Sequence, residues 1–266
     1  MTSPRNPRVA DARKLLRRAH RRETRRFVME GSRAIADALA HEAPVEQLFI
    51  SEDQPDRAEF ERLAQRTGID VHVVGHQVLK SLSDSATPQG VVAVARIPDV
   101  AVGDVSGDLV VILDGVGDPG NGGTILRSAV AAGASGVFFV IGSVDPYGPK
   151  TVRAAAGALF STAVLSDVSL EDSVESARDR GLTVIGTSVT GARPYYDADL
   201  TAPFALVVGN EAWGVPHEHL DLMDDTVTIP MVGNAESLNV ATATSIVLFE
   251  ALRQRRLSSR LKEHGG

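Results

Sequence analysis

The sequence predicts an α/β protein: a mostly parallel sheet in the C-terminal part, preceded by a smaller α/β unit. Three observations predict it. Beyond residue 108, short apolar runs alternate with segments of helical spacing, the pattern of a parallel sheet covered on both faces. Residues 97–108, IPDVAVGDVSGD, carry Pro, Gly and Asp with little periodicity and read as a linker. Before them, helical and strand-like segments are shorter and more mixed. The expected division is a domain over 1–98, a linker over 99–107 and a second domain over 108–266.

In the first domain, Arg8 to Ala19 has helical spacing, with Leu15, Leu16 and Ala19 on one side. Phe27 to Met29 is a short apolar run, and Gly31–Ser32 opens a helix reaching about His41. Val45 to Ile50 reads as a strand after Pro44. Asp56 to Thr67 is helical and Gly68 ends it. Val71–Val74 and Val91–Arg96 read as strands, with a short helix over Gln77–Ser81 between them. In the second domain, strands are expected at Leu109–Leu113, Val137–Ile141, Ala163–Leu165, Thr183–Thr187, Phe204–Val208 and Thr226–Ile229. Helices are expected at Gly123–Ala132, Lys150–Leu159, Leu170–Arg180 and Val240–Arg256.

Charge and composition narrow the function. Net charge is -7, but residues 1–33 hold eleven basic and three acidic side chains, leaving this segment at +8 and the remainder at -15. A basic arm on an acidic body suits contact with phosphate, and Arg17, Arg18, Arg21, Arg22, Arg25 and Arg26 are its RNA-binding candidates. The chain has no cysteine, which excludes disulfides, Cys-ligated zinc and thiol catalysis and suits a reducing cytoplasm. No apolar run approaches the ~18–20 residues needed to span a bilayer, and the basic N-terminus lacks the apolar core of a secretory signal. A membrane partner and a bound metal are not expected.

In a parallel sheet, ligands sit beyond the carboxyl ends of the strands, which directs attention to the loops at 114–123, 187–199, 209–216 and 230–240. Gly115-Val-Gly117-Asp-Pro-Gly120 fits the dinucleotide fingerprint G-x-G-x-x-G. Against an NAD site, Pro119 and Gly120 are expected to keep this loop non-helical, and no acidic residue ends the second strand. Three loops carry better chemistry. In DPGNGGTILRSA (118–129), Asn121 is placed to cap the following helix and Arg127 lies two turns in. In VVGNEAWGVP (207–216), Glu211 follows a Gly-Asn turn. In IPMVGNAESLNVATA (229–243), Ser237 and Asn239 flank Leu238 just before the last helix, where Ser237 is a second cap candidate. Singly, each has a structural explanation; a parallel sheet brings all three loops to one end.

These motifs resemble the SpoU (TrmH-like) branch of the SPOUT RNA methyltransferases. N-x-G-x-x-x-R-x-A runs from Asn121 to Ala129, G-N-E with its later glycine from Gly209 to Gly214, and I-P-M…S-L-N-V from Ile229 to Val240. The likeness spans about residues 108–256. The first domain resembles the family's small substrate-binding domain, itself similar to certain ribosomal proteins, through Phe27-Val-Met-Glu30-Gly31 and Thr87-Pro-Gln-Gly90-Val-Val-Ala93. Two departures are Ala155 and Ala241, where the family often has serine.

The resemblance implies a deep trefoil knot in the second domain, dimerisation through it, and S-adenosylmethionine as cofactor. Gly209, Ile229 and Leu238 match cofactor-contacting positions, and Thr187, Asn210, Gly214 and Met231 join them as candidates. The implied reaction is methyl transfer to a ribose 2′-hydroxyl, with Arg127, Glu211, Asn121, Ser237 and Asn239 as the catalytic set. A permanently protonated guanidinium is a poor base, so Arg127 is expected to clamp the substrate phosphate and stabilise developing alkoxide. Glu211 would orient it or relay the proton. Ribosomal RNA is the expected substrate, with transfer RNA and an antibiotic-resistance methylation as alternatives. A non-catalytic RNA-binding protein and an NAD enzyme are the competing classes.

Overall fold

The computed structural model describes residues 5–40, 42–85, 87–189, 193–210, 214–234 and 237–264. In chain order the first elements are α1 (Pro7–Lys14), α2 (Arg18–Thr24), β1 (Arg26–Glu30), α3 (Ser32–Ala40), β2 (Val45–Ser51), α4 (Arg57–Thr67), β3 (Asp70–Val74), α5 (His76–Leu82) and β4 (Val91–Arg96). There follow β5 (Leu109–Leu113), α6 (Pro119–Ala131), β6 (Gly136–Val140), α7 (Pro149–Ala155), β7 (Ala163–Val168), α8 (Leu170–Asp179), β8 (Thr183–Thr187) and β9 (Arg193–Pro194). The last are β10 (Phe204–Val208), α9 (His217–Leu220), β11 (Asp225–Thr228) and α10 (Val240–His264).

The chain forms two units: Met1–Asp99 with Asp145–Phe160, and Val100–Val144 with Ser161–Gly266. The first therefore differs from the contiguous 1–98 domain expected, because a stretch from the second half of the chain is built into it. Its sheet has the order β1-β4-β2-β3, antiparallel except for the β2–β3 pair. Its core gathers Val9, Ala12 and Leu15 of the N-terminal segment with Val28, Phe49, Val92 and Val94 of the strands and the apolar face of α5. The inserted stretch adds Tyr147 and Phe160, whose rings lie 5.1 and 6.1 Å from that of Phe27.

The single helix expected over 8–19 is two. Arg17 takes extended backbone (φ -96°, ψ 129°), and the chain restarts as α2. The break is stabilised from inside: Arg21 donates through Nη1 to the Leu15 carbonyl at 2.7 Å and through Nε to Asp145 at 3.0 Å. Arg21 is thus 4% exposed. Its guanidinium serves a free helix-end carbonyl and a carboxylate, a fully used buried cation. His72 of β3 is buried against Phe49, 5.1 Å between rings. Burial, reinforced by Arg8, holds its imidazole below the ordinary value of 6.5.

The second unit has seven strands in the order β7-β6-β5-β10-β8-β11-β9, every pairing parallel. β5, β6 and β10 are buried along their whole length, as continuous apolar strands must be. Four differences from expectation appear. β9 and α9 are too short to give a periodic signal. The last helix runs on to His264. Residues 100–107 are no loose linker: Val100, Val102 and Val105 pack on the sheet core, and Arg180 donates to the Val105 carbonyl at 2.7 Å. Finally, α6 begins at Pro119, not after Gly122. Proline has no N–H to lose at the first helical position and its fixed φ suits it there, so Pro119 and Gly120 are helical after all.

Candidate functional site

Because the seven strands are parallel, the chain leaves β5, β8, β10 and β11 at one end of the sheet, and there the expected loops meet. Asp118 caps α6: its Oδ1 accepts from the Asn121 amide N–H at 2.8 Å. Asn121 is therefore not the cap but sits in the first turn, its side chain released for other contacts. Nor is Ser237 the cap of α10. Asn239 takes that place, its Oδ1 accepting from the amides of Ala241 (3.0 Å) and Thr242 (3.2 Å). With its oxygen so used, Asn239 turns its Nδ2 to Asn121 Oδ1 at 2.8 Å. A second bond, Ser128 to Ser245 at 2.8 Å, joins the same two helices further along. The first and third motifs are thereby locked together.

Arg127 lies on the exposed side of α6 with Gly120, Thr124 and Ala131. Among the described residues no hydrogen bond or ion pair engages it, which leaves a cation on a fixed helix available to an incoming anion. Glu211 lies outside the described residues.

The glycines of the second motif have a direct cause. Asn210 and Gly214 exchange backbone hydrogen bonds of 2.9 and 2.8 Å, closing the loop between them. A Cβ on Gly209 would fall 1.9 Å from the Gly214 carbonyl carbon, and Gly214 itself has φ +70°. Neither position tolerates a side chain without moving the loop. Asn210 also ties it to β5, donating from Nδ2 to the Gly115 carbonyl at 2.9 Å. At the loop's far end, His219 Nδ1 meets the buried Asp114 carboxylate at 2.6 Å. This Asp114–His219 pair joins α9 to the end of β5; Asp114 ends an apolar strand, but nothing in the sequence links it to His219.

Between the second and third motifs lies a cavity of about 390 Å³. Thr187, Gly209, Asn210, Gly214, Ile229, Met231 and Leu238, the expected cofactor-side positions, all line it, together with Ser237, Val227 and Val247. Sequence reasoning missed Ser188, Val189, Pro230 and Ala243, which also line it. The described lining is apolar side chains, small hydroxyls and backbone, with no lysine or arginine. A dinucleotide would bring a diphosphate, and no lysine or arginine of the described lining faces it. Gly115, Gly117 and Gly120 are not among the lining, so the glycine fingerprint does not build this pocket.

The RNA-arm candidates divide. Arg17, Arg18, Arg22 and Arg25 are exposed. Arg21 is buried as described and cannot serve an RNA phosphate, a correction to the sequence reading. Arg26 is committed to Asp11 at 2.9 Å. Arg25 donates to the Pro98 carbonyl at 2.9 Å but keeps about half of its side chain in solvent. In the same unit, Glu30 accepts from Ser83 Oγ (2.6 Å) and the Gln89 amide (3.3 Å), so the two segments of the ribosomal-protein likeness meet through it.

Residues 108–249 match the SpoU rRNA Methylase family, and residues 6–93 match the MRM3-like substrate binding domain. The chain belongs to the SpoU rRNA methylase family. Its C-terminal unit has the knotted fold of that family. Among curated SpoU relatives it is 32% identical to the 23S rRNA (guanosine(2553)-2'-O)-methyltransferase RlmP of Bacillus subtilis, over 93% of this chain and 96% of the relative. It is 36% identical to the 23S rRNA (uridine(2479)-2'-O)-methyltransferase of Streptomyces viridochromogenes, over 86% and 83%. Among solved SpoU structures it resembles the methyltransferase AviRb of Streptomyces viridochromogenes in complex with the cofactor AdoMet. The TM-score is 0.85 at 35% identity, covering 95% of this chain and 99% of that one.

Proposed function

We propose that this chain transfers a methyl group from S-adenosylmethionine to a ribose 2′-hydroxyl of ribosomal RNA. The observation that carries the reading is the 390 Å³ cavity whose wall is made by the family's second and third motifs. Its character suits the cofactor: apolar walls for adenine, backbone donors and acceptors for its edge, and no cationic side chain to repel a sulfonium. When bound, S-adenosylmethionine supplies an activated methyl group on a positively charged sulfur.

The chain's own residues divide the work. Gly209 and Gly214 let the backbone approach the ligand, and Ile229 and Leu238 exclude water around it. Thr187, Asn210 and Met231 complete the wall. Arg127 grips the substrate phosphate and offers positive charge to the developing alkoxide, since a ribose hydroxyl is a weak nucleophile at neutral pH. Glu211 orients Arg127 or takes up the proton. The Asn121–Asn239 bond and Ser237 hold the acceptor side of the pocket in register. The exposed arginines Arg17, Arg18, Arg22 and Arg25 draw the RNA to the N-terminal unit.

The enzyme works as a homodimer in this reading. Support comes from Phe249 and Leu257, which stay 47% and 46% exposed along one groove of α10. No helix among the described residues is long and apolar enough to cross a membrane. A cysteine-free chain that modifies ribosomal RNA fits the cytoplasm.

The deciding experiment incubates the protein with labelled S-adenosylmethionine and 23S rRNA transcribed in vitro, then maps the modified nucleotide. Label on a ribose oxygen is expected. Absence of transfer, with calorimetric binding of the cofactor intact, would leave an RNA-binding protein only.

A further inference from the structure

Seven large hydrophobic side chains are exposed among the described residues, and four of them stand on the segments around the cavity. These are Val189, Tyr196, Met231 and Val232, exposed by 61, 52, 39 and 102%. Val189 and Met231 also line the cavity, so they sit at its mouth. Tyr196 reaches the same place by topology. β9 runs parallel to β11 with Pro194 opposite Thr228. The 3-10 turn Tyr195–Asp197 therefore leaves the sheet beside Ile229 and Pro230, which line the cavity. Tyr195 meets the Tyr196 ring edge-on, 5.1 Å between centroids at 71°, and braces it.

We propose that Tyr196, flanked by Val189, Met231 and Val232, is the platform on which the unpaired base of the acceptor nucleotide stacks. The inference rests on the methyltransferase reading of the cavity. A ribose whose 2′-oxygen reaches the cavity mouth brings its base to the rim, and a base drawn out of a helix loses its stacking partners. An exposed aromatic ring beside aliphatic side chains restores them. Close to Tyr196 in the chain, the Arg193 guanidinium is paired with Asp225 at 3.4 Å. Stacking also tolerates any base. The two relatives are named for different bases, one for guanosine and the other for uridine, which suits a base-tolerant contact.

The test compares Tyr196→Ala and Tyr196→Phe with the wild type on 23S rRNA transcribed in vitro. Tyr196→Ala is expected to lower kcat/KM for RNA by about tenfold or more. Its affinity for S-adenosylmethionine, by calorimetry, and its elution on size exclusion should stay unchanged. Tyr196→Phe keeps the ring and should remain within about twofold of wild type. Full activity of Tyr196→Ala would overturn the platform while leaving the methyltransferase reading intact. A parallel loss of cofactor affinity would make Tyr196 part of the cavity wall, and a change in oligomeric state would make the patch a contact between copies; either overturns the proposal. If the wild type transfers no methyl group, the underlying reading fails and the platform with it.

Discussion

In the C-terminal unit, Asn121 and Asn239, 118 positions apart in sequence, share a hydrogen bond. In the N-terminal unit, six arginines within ten residues go to different tasks. Arg21 is buried on Asp145 and Arg26 pairs with Asp11, whereas Arg17, Arg18 and Arg22 face outward. A parallel sheet funnels distant loops to one end, so motif residues there can be assigned together. A charge-rich segment that packs as short helices offers no such rule. Each arginine must be judged by what it touches, and the +8 count overstates the charge available to RNA.

The sharpest way to break this contrast is Arg21→Ala. It leaves the Asp145 carboxylate buried and unpaired, and should cost about 3–5 kcal/mol of stability, read from denaturant unfolding. If Arg21 were an arm residue, the loss would be below about 0.5 kcal/mol. Arg127→Ala is the counterpart in the other unit. Methyl transfer should fall by about 100-fold or more, with folding and cofactor affinity unchanged because nothing in the described fold leans on its guanidinium. The triple replacement of Arg17, Arg18 and Arg22 by Ala should flatten the slope of log affinity for RNA against log salt by about 2 to 3. Calorimetric cofactor binding should be untouched; an unaltered slope would reduce these residues to a solvated face.

The smallest effect concerns pH. His72 has a folded-state value below 6.5, so the unfolded chain takes up its proton first as pH falls. Its contribution is complete above 6.5 and is lost on acidification through and below that value. The denaturant midpoint of the wild type should therefore drop between pH 7.5 and 5.5 more than that of His72→Phe, which keeps a ring against Phe49. Equal drops in both would show that other groups govern the acid limb.

Legibility followed the same division. β5 and β10 were readable to the residue because a five-residue apolar run between turns has few other solutions. Gly209, Ile229 and Leu238 were readable through the resemblance of the second and third motifs to the family, and all three line the cavity. What escaped the sequence was local and competitive. Pro119 looked like a break and is a helix start. Asn121 looked like a cap, but Asp118 is better placed and takes the amide. Asp145 is the partner of Arg21, a pairing across 124 positions that no local pattern encodes.

That last pairing has a bearing on how such proteins can be rearranged. The N-terminal unit is completed by Asp145–Phe160, which lies in the chain between β6 and β7. A graft of this unit onto another methylase, cut at residue 99, would arrive without the anion for Arg21 and without the rings of Tyr147 and Phe160 that cover Phe27. The recipient would have to supply them from its own sheet. A substitution in residues 145–160 is therefore a substitution in the N-terminal unit, and that unit can be moved intact only as two pieces of chain.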